Sequence, residues 1–151
     1  MLWGCMTHYG VGDASWVPGK INSEDYLEVL HDYVLASRDW FDMDPETFIF
    51  QQDNAGIHTA HIINDFFEEY NITVLDWPAC SPDLNPIEHL WSYLKRELQS
   101  YETSPNNLDE LWDQVQEVWA KIPIKYIQKL YESMPKRMSD VCQAKGGHTK
   151  Y

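Results

Sequence analysis

The chain has few cysteines, no long apolar run and very few basic residues in its first ninety positions. Its 151 residues include three cysteines, Cys5, Cys80 and Cys142. An odd number of widely spaced thiols argues against a disulfide framework and for a reducing compartment. No stretch approaches the roughly 18 apolar residues of a membrane span, and the start lacks the basic and apolar segments of a signal peptide. We therefore expect an intracellular protein with no membrane partner.

The shortage of basic residues is confined to one part of the chain. Residues 1–90 contain sixteen Asp and Glu against two Lys and Arg, a net charge of −14. Residues 91–151 contain nine basic and eight acidic residues, a net charge of +1. Affinity for nucleic acid depends largely on Lys and Arg, which release counterions from phosphates. We therefore expect this chain alone to bind DNA weakly, even though bound metal ions would neutralise some acids.

The remaining composition and periodicity predict one α/β domain. With 44% hydrophobic residues, the chain is long enough to bury a substantial core. The run Phe48–Gln52 and the buried run Ile72–Leu75 read as strands joined by a helix, so that residues 48–76 form a unit of two parallel strands with a right-handed crossover. The other predicted elements are a hairpin (1–17), helices (22–37, 86–99, 107–121 and 123–135) and a mobile tail (144–151).

Two acids accompany the unit of residues 48–76, one after its first strand and one in the helix that follows the unit. Asp53 follows the first strand and Glu88 lies near the start of the next helix, with thirty-four residues between them. Ligands of parallel sheets gather outside the carboxyl ends of the strands. Carboxylate oxygens suit hard divalent cations, and pairs of such cations promote in-line displacement at phosphorus. The pattern indicates metal-dependent phosphodiester chemistry on nucleic acid.

The acids belong to two longer blocks of sequence. These are Gln51-Gln-Asp-Asn-Ala-Gly-Ile-His58 and Asp76-Trp-Pro-Ala-Cys-Ser-Pro-Asp-Leu-Asn-Pro-Ile-Glu-His-Leu-Trp91. They resemble the second and third catalytic blocks of the mariner-superfamily, or Tc/mariner-like, DDE transposases. The likeness covers essentially the whole chain, because Trp3-Gly-Cys5 and Gly10-Val-Gly12 match strands that follow the family's first block. The closing residues 144–151 resemble the family's C-terminus.

The resemblance implies a ribonuclease H-like fold with additional C-terminal helices, and a triad of Asp, Asp and Glu that binds two Mg²⁺ or Mn²⁺ ions. Asp53 would be the second acid and Glu88 the third, each a catalytic residue and a metal ligand. The ions would activate water to nick the element end, and then the new 3′ hydroxyl to attack target DNA. The implied partners are transposon-end and target DNA and a second copy of the chain, in the nucleus.

The sequence departs from the family pattern at its start. The family's first acid lies on a central strand upstream of the hairpin, and neither that strand nor the family's helix-turn-helix region has a match here. Asp13 follows Gly10-Val-Gly12 in a turn and is not expected to substitute. We therefore expect a fold truncated at its N-terminus, with the first central strand missing and little or no cleavage by this chain alone, so that enzymatic activity stays open.

Two other functions remain alternatives. The first is a non-catalytic, decayed or domesticated module that binds itself or a full-length transposase. The second is a metal-dependent nuclease outside transposition.

The site residues also have structural interpretations. Asp53 and Asn54 precede a glycine, as in many turns, and Glu88 lies three residues after a predicted Asn85 cap, where a Glu often bonds back to the cap N–H. Asp76 and Asp83 are acids of the same loop region, and for Asp76 we favour bracing of the loop through backbone N–H groups over metal ligation.

The histidines have alternatives of the same kind. His58 and His61 are three positions apart, but the sequence has no third His or Cys at zinc-ligand spacing, so a zinc site is not expected. His89 either meets a phosphate or lies on the surface. The predicted supporting residues are Asn54, His58, Asp76, Asp83, Asn85 and His89.

Overall fold

The structure is a computed structural model that describes residues 1–147 and Thr149. A hairpin opens the chain, a helical region follows, two short parallel strands enclose a helix, and three longer helices complete the chain. In order the elements are β1 (Leu2–Thr7), β2 (Gly10–Trp16), α1 (Ser23–Val29), a π-helical turn (Leu30–Val34), α2 (Leu35–Trp40), β3 (Ile49–Phe50), α3 (His61–Glu69), β4 (Thr73–Val74), a 3₁₀ turn (Pro82–Leu84), α4 (Ile87–Gln99), α5 (Leu108–Ala120) and α6 (Ile124–Gln143).

The chain divides into two compact units. The first contains Met1–Cys5 and Gly12–Cys80, and the second contains Met6–Val11 and the described residues from Ser81 onward. The hairpin thus contributes its base to the first unit and its tip to the second. Within the described part of the chain, no helix is long and apolar enough to cross a membrane.

The first unit begins its helical region at a capping box. Asn22 Oδ1 accepts hydrogen bonds from the N–H groups of Glu24 and Asp25, and the Asp25 carboxylate accepts one from Asn22 N at 2.9 Å. These bonds satisfy backbone donors that the first turn of a helix leaves open. The predicted helix 22–37 ended too early, because the π-helical turn passes directly into α2 and the helical region continues to Trp40.

The core of the first unit lies between the helical region and α3. Its buried residues come from the first helices, from α3 and from the segments that flank the short strands. Each such side chain contributes about 1.5–3 kcal/mol when it leaves water. The cluster consists of Tyr26, Val29, Leu30, Val34, Phe48, Ile63, Phe66, Phe67 and Ile72.

The strands β3 and β4 are parallel, with Ile49 opposite Thr73 and Phe50 opposite Val74. The prediction of a buried strand over 72–75 was wrong: Ile72 is buried, but Val74 and Leu75 are 36% and 44% exposed. A strand is buried on both sides only where layers cover both faces of its sheet. Here β3 and β4 form a sheet of two strands among the described residues.

The second unit packs α4, α5 and α6 around aliphatic side chains. Trp91 of α4 stacks on Trp119 of α5, with ring centroids 5.1 Å apart and planes inclined by 22°. Helix α5 begins at an Asn107 cap, whose side chain accepts from Glu110 N at 2.9 Å. The buried residues of this unit include Leu84, Leu90, Leu94, Val115, Val118, Trp119, Ile122, Ile127 and Leu130.

The last helix is longer than predicted. The predicted helix over 123–135 ends at Pro135, yet α6 continues for eight residues to Gln143, although a proline removes an intrahelical hydrogen bond. Arg137, only 1% exposed, anchors this extension: it donates to Ser133 Oγ at 2.8 Å and to the Asp83 carbonyl at 3.2 Å. Contacts made after the proline therefore outweigh its cost.

The predicted mobile tail, 144–151, is described only in part. Thr149 donates from its N–H and its hydroxyl to Asp83 Oδ2, at 2.7 and 2.8 Å. The rest of that prediction includes His148, Lys150 and Tyr151, which lie outside the described residues.

Candidate active site

Asp53 lies in the loop that follows β3, and one of its two carboxylate oxygens is hydrogen-bonded. Its Oδ1 accepts from Ala55 N at 3.0 Å and lies 2.6 Å from His58 Nδ1. The side chain is 61% exposed, and Oδ2 accepts no hydrogen bond from a described residue. The turn predicted for this sequence is thus present, and an exposed anionic oxygen remains beside it.

His58 is held between this carboxylate and an aromatic ring. Its side chain is 19% exposed, and its ring centroid lies 4.2 Å from that of Tyr26, at an interplanar angle of 33°. The buried Tyr26 hydroxyl donates to Gln52 Oε1 at 2.7 Å, and Gln52 Nε2 donates to the His58 carbonyl at 3.1 Å. Burial and, to a smaller extent, the charge of Asp53 raise the pKa of Tyr26, so the hydroxyl keeps its hydrogen as a donor.

Asn54 connects the loops that follow the two parallel strands. Its Nδ2 donates to the Trp77 carbonyl at 2.6 Å. The predicted bracing by Asp76 was wrong, because its exposed carboxylate accepts no hydrogen bond from a described residue. Asn54 can bond to this carbonyl oxygen because its amide is a donor, whereas an ionised carboxylate can only accept.

Glu88 lies in the first turn of α4, exposed to solvent. Its carboxylate accepts no hydrogen bond from a described residue, so the alternative of a bond back to the helix cap was wrong. The reason is local: Asn85 N already donates to the Pro82 carbonyl at 2.9 Å in the 3₁₀ turn. Asn85 Oδ1 accepts instead from Ile87 N, at 3.4 Å. A negative charge in a first helical turn is favourable because of the helix dipole.

Sequence reasoning missed a buried cation, Arg137, which bonds to the 3₁₀ turn that precedes α4. Arg137 donates to the carbonyl of Asp83, and the Asp83 carboxylate accepts from Thr149. Partial burial and, secondarily, the positive charge of Arg137 lower the pKa of His89. The lowered pKa favours a neutral imidazole at neutral pH, so His89 is a hydrogen-bonding group there and not a cation. No spacing in the sequence signals the bond of Arg137 to Asp83, because the two residues lie 54 positions apart in the chain.

The two acids belong to different units, Asp53 to the first and Glu88 to the second. In the described part of the chain, no group of three or more His, Cys, Asp or Glu side chains is arranged to hold a metal ion. The separate carboxylates nevertheless fit Mg²⁺ or Mn²⁺. Both are exposed and have an oxygen without a hydrogen bond, and hard divalent cations prefer anionic oxygen ligands.

Comparison with known families identifies the two sequence blocks, 51–58 and 76–91, that contain Asp53 and Glu88. The family described as DDE superfamily endonuclease has a sequence model that matches residues 2–112. The chain belongs to this DDE endonuclease family. Among curated relatives, it is 36% identical to the Tcb2 transposase of Caenorhabditis briggsae and 37% identical to the Tc1 transposase of Caenorhabditis elegans, each over the whole chain. The predicted resemblance to Tc/mariner-like transposases is confirmed.

Solved structures establish the fold of this DDE endonuclease chain. The Mos1 transposase catalytic domain, solved with Raltegravir and Mg, superposes with a TM-score of 0.84 at 23% identity, covering 99% of this chain and 76% of that one. A Mos1 paired-end complex with the left transposon end gives a TM-score of 0.85 over 97% of this chain and 44% of that one. The predicted ribonuclease H-like fold with additional C-terminal helices is confirmed.

Proposed function

We propose that this chain is part of the catalytic core of a Tc/mariner-like DNA transposase, which cleaves element ends and joins them to target DNA. Membership in the DDE endonuclease family supports this function. The chain spans 54% of the Tcb2 and Tc1 transposases that it matches, so the activity is that of a longer protein. The observation that carries the proposal is the pair of exposed carboxylates, Asp53 and Glu88, each with an oxygen free to bind a cation.

In this proposal Asp53 and Glu88 are the metal ligands. Mg²⁺ or Mn²⁺, when bound, would supply a Lewis acid and lower the pKa of a nucleophilic water or hydroxyl. Asp53 would use Oδ2, since Oδ1 already accepts two hydrogen bonds. Asn54 maintains the loop beside Asp53 through its bond to Trp77, and Asn85 fixes the start of the Glu88 helix through its bond to Ile87.

The proposed partners of the complete protein are transposon-end and target DNA, in the nucleus. The present residues supply a net charge of −13 and two acids of the three that the resemblance implies. We therefore propose that residues 1–151 alone bind DNA weakly and do not cleave it. Incubating purified 1–151 with Mg²⁺ and an element-end duplex tests this directly: nicking that disappears in Asp53→Ala would refute the inactivity of the isolated chain.

Calorimetric titration with Mn²⁺ tests the ligand assignment. We expect weak binding by the wild-type chain and a further loss of at least about tenfold in Asp53→Asn and in Glu88→Gln, because each change removes an anionic oxygen ligand. Asp113→Asn and Glu132→Gln are matched controls, since both residues are exposed on helices and have no place in the proposed site. Equal affinity in all five proteins would refute the assignment.

A second function is favoured by exposed apolar residues at the short strands. Ile49, Val74 and Leu75 are 58%, 36% and 44% exposed, and such residues are common at contacts between proteins. A non-catalytic module would associate with itself, as a homodimer, or with a full-length transposase. Sedimentation velocity distinguishes the two functions: association that persists in Asp53→Asn and Glu88→Gln, together with no metal binding by the wild type, would favour the module.

A further inference from the structure

The environment of Asp53 fixes which nitrogen of His58 carries a hydrogen. His58 Nδ1 lies 2.6 Å from Asp53 Oδ1 and 3.3 Å from the Asp53 carbonyl oxygen. Both oxygens are acceptors, so a bare Nδ1 would place lone pairs against lone pairs. The Nδ1 atom is therefore the donor, and it holds Asp53 Oδ1 together with Ala55 N, which lies 3.0 Å from the same oxygen.

Three contacts hold His58, one at its ring and two at its backbone. Its ring lies on the ring of Tyr26, a residue of the core that is 1% exposed. The His58 carbonyl accepts from Gln52 Nε2, whose own oxygen accepts from the Tyr26 hydroxyl. The His58 N–H donates to the Ala55 carbonyl at 2.8 Å. The backbone and the ring of His58 are thus both fixed, and Tyr26 takes part in each restraint.

We propose that His58 and Tyr26 are positioning residues for the Asp53 carboxylate. This inference rests on the proposed metal-ligand role of Asp53. Two donors on Oδ1 prevent rotation of the carboxylate and leave Oδ2 toward solvent, where a cation can bind it. A carboxylate without these donors would rotate among several orientations. Binding of a cation would then have to stop this rotation, which costs conformational entropy. Changes to residues that orient metal ligands typically reduce metal affinity by about 10–100-fold.

The first test measures Mn²⁺ binding to residues 1–151 by NMR. The paramagnetic ion broadens the amide signals of residues near its site, here residues 53–55, and this effect detects weak binding. We expect His58→Ala to need roughly tenfold more Mn²⁺ than the wild type for equal broadening. His58→Asn should restore most of the affinity, because its amide nitrogen lies where Nδ1 lay. His58→Gln places its nitrogen further from the backbone and should remain as weak as His58→Ala.

Variants of Tyr26 separate its ring from its hydroxyl. Tyr26→Phe keeps the ring against His58, so Mn²⁺ affinity should stay within about threefold of the wild type. Tyr26→Leu removes the ring and should weaken binding about as much as His58→Ala. Thermal unfolding of every variant verifies that it is folded at the temperature of the titration. Should Tyr26→Leu unfold, the His58→Asn and His58→Gln pair still decides the role of His58, because the two amides differ in how far the nitrogen lies from the backbone. Tyr26→Phe still tests Tyr26, because a loss much larger than about threefold would show that its ring alone does not position His58.

The second test needs no metal. In the ¹⁵N spectrum of the metal-free wild type, His58 Nδ1 should carry a hydrogen, and a bare Nδ1 would overturn the inference. In the Mn²⁺ experiment, wild-type affinity in His58→Ala alongside weakened binding in Asp53→Asn would overturn the positioning role alone. Broadening that is absent in the wild type, or unchanged in Asp53→Asn, would instead overturn the metal-ligand role of Asp53, and the inference that rests on it.

Discussion

Replacing Gly12 by alanine should destabilise the first unit through a steric conflict that the structure defines closely. A Cβ atom at position 12 would lie 2.3 Å from Ser37 Oγ, 2.5 Å from Cys5 Sγ and 3.0 Å from Ser37 Cβ. Ser37 is buried on α2, and its hydroxyl and the Cys5 thiol form a hydrogen bond at 3.3 Å. The conflict therefore involves groups that have little room to move.

The magnitude follows from the cost of overpacking. Additional carbon atoms in a packed interior cost typically about 1–3 kcal/mol, and displacement of the Ser37 hydroxyl would also weaken its hydrogen bond to Cys5, worth roughly 0.5–1.5 kcal/mol. We expect Gly12→Ala to lower the free energy of unfolding by about 2–3 kcal/mol. For a urea m-value of roughly 1–3 kcal/mol per molar, the midpoint would fall by about 0.7–3 M.

Urea denaturation followed by tryptophan fluorescence measures this change, and Gly56→Ala is its matched control. A Cβ atom at Gly56 meets nothing within 4 Å, so that variant should lie within about 0.5 kcal/mol of the wild type. In the double variant Gly12→Ala with Ser37→Ala, removal of the nearest oxygen should make the loss smaller than the sum of the single losses. Equal stability of Gly12→Ala and Gly56→Ala would refute the packing described around Cys5.

Three further predictions concern single side chains. Burial raises the pKa of Cys5 to about 11, so iodoacetamide at pH 8 should alkylate the two exposed cysteines well before Cys5, and mass spectrometry showing equal rates would contradict this. Asp65 raises the pKa of the exposed His61. This contact therefore stabilises the folded state slightly at pH values below the pKa of about 6.5 that His61 has in the unfolded chain, and the stabilisation disappears as the pH rises through the pKa of the folded state. NMR titration should show that Asp65→Asn lowers the pKa of His61, and an unchanged midpoint would contradict the contact. Asn22→Ala removes the capping box and should cost about 0.5–2 kcal/mol, whereas an unchanged urea midpoint would show that the cap contributes nothing.

Local sequence signals predicted the features that depend on neighbouring residues. The apolar run before Asp53 indicated a strand, the spacing of apolar residues indicated the helices, and Asn22 followed by acids indicated a helix start. The two sequence blocks predicted the family and, through it, the ribonuclease H-like fold. Short segments of sequence determine these features, because propensity, capping and turn chemistry act over a few residues.

Features that depend on distant contacts were missed or predicted wrongly. Helix α6 continues past Pro135 because Arg137 bonds to the carbonyl of Asp83, 54 positions away. Asn54 joins its loop to Trp77, 23 positions away, a contact that was not predicted. The contact of His58 with Tyr26 is of the same kind. Periodicity and motif spacing contain no information on which side chains meet across the core, so these contacts became visible only in the folded chain.

The hairpin gives the two units an interleaved chain path. Because Met6–Val11 group with residues that begin at Ser81, the polypeptide passes from one unit to the other three times, after Cys5, after Val11 and after Cys80. The tip of the hairpin has partners of its own in the second unit, since the Tyr131 hydroxyl donates to the Met6 carbonyl and the Tyr131 ring lies against His8. A protease that cuts once after Cys80 would therefore leave the hairpin tip of the second unit on the fragment that contains the first unit. A gene fragment that starts at Ser81 would encode a helical bundle deprived of its β-strand segment.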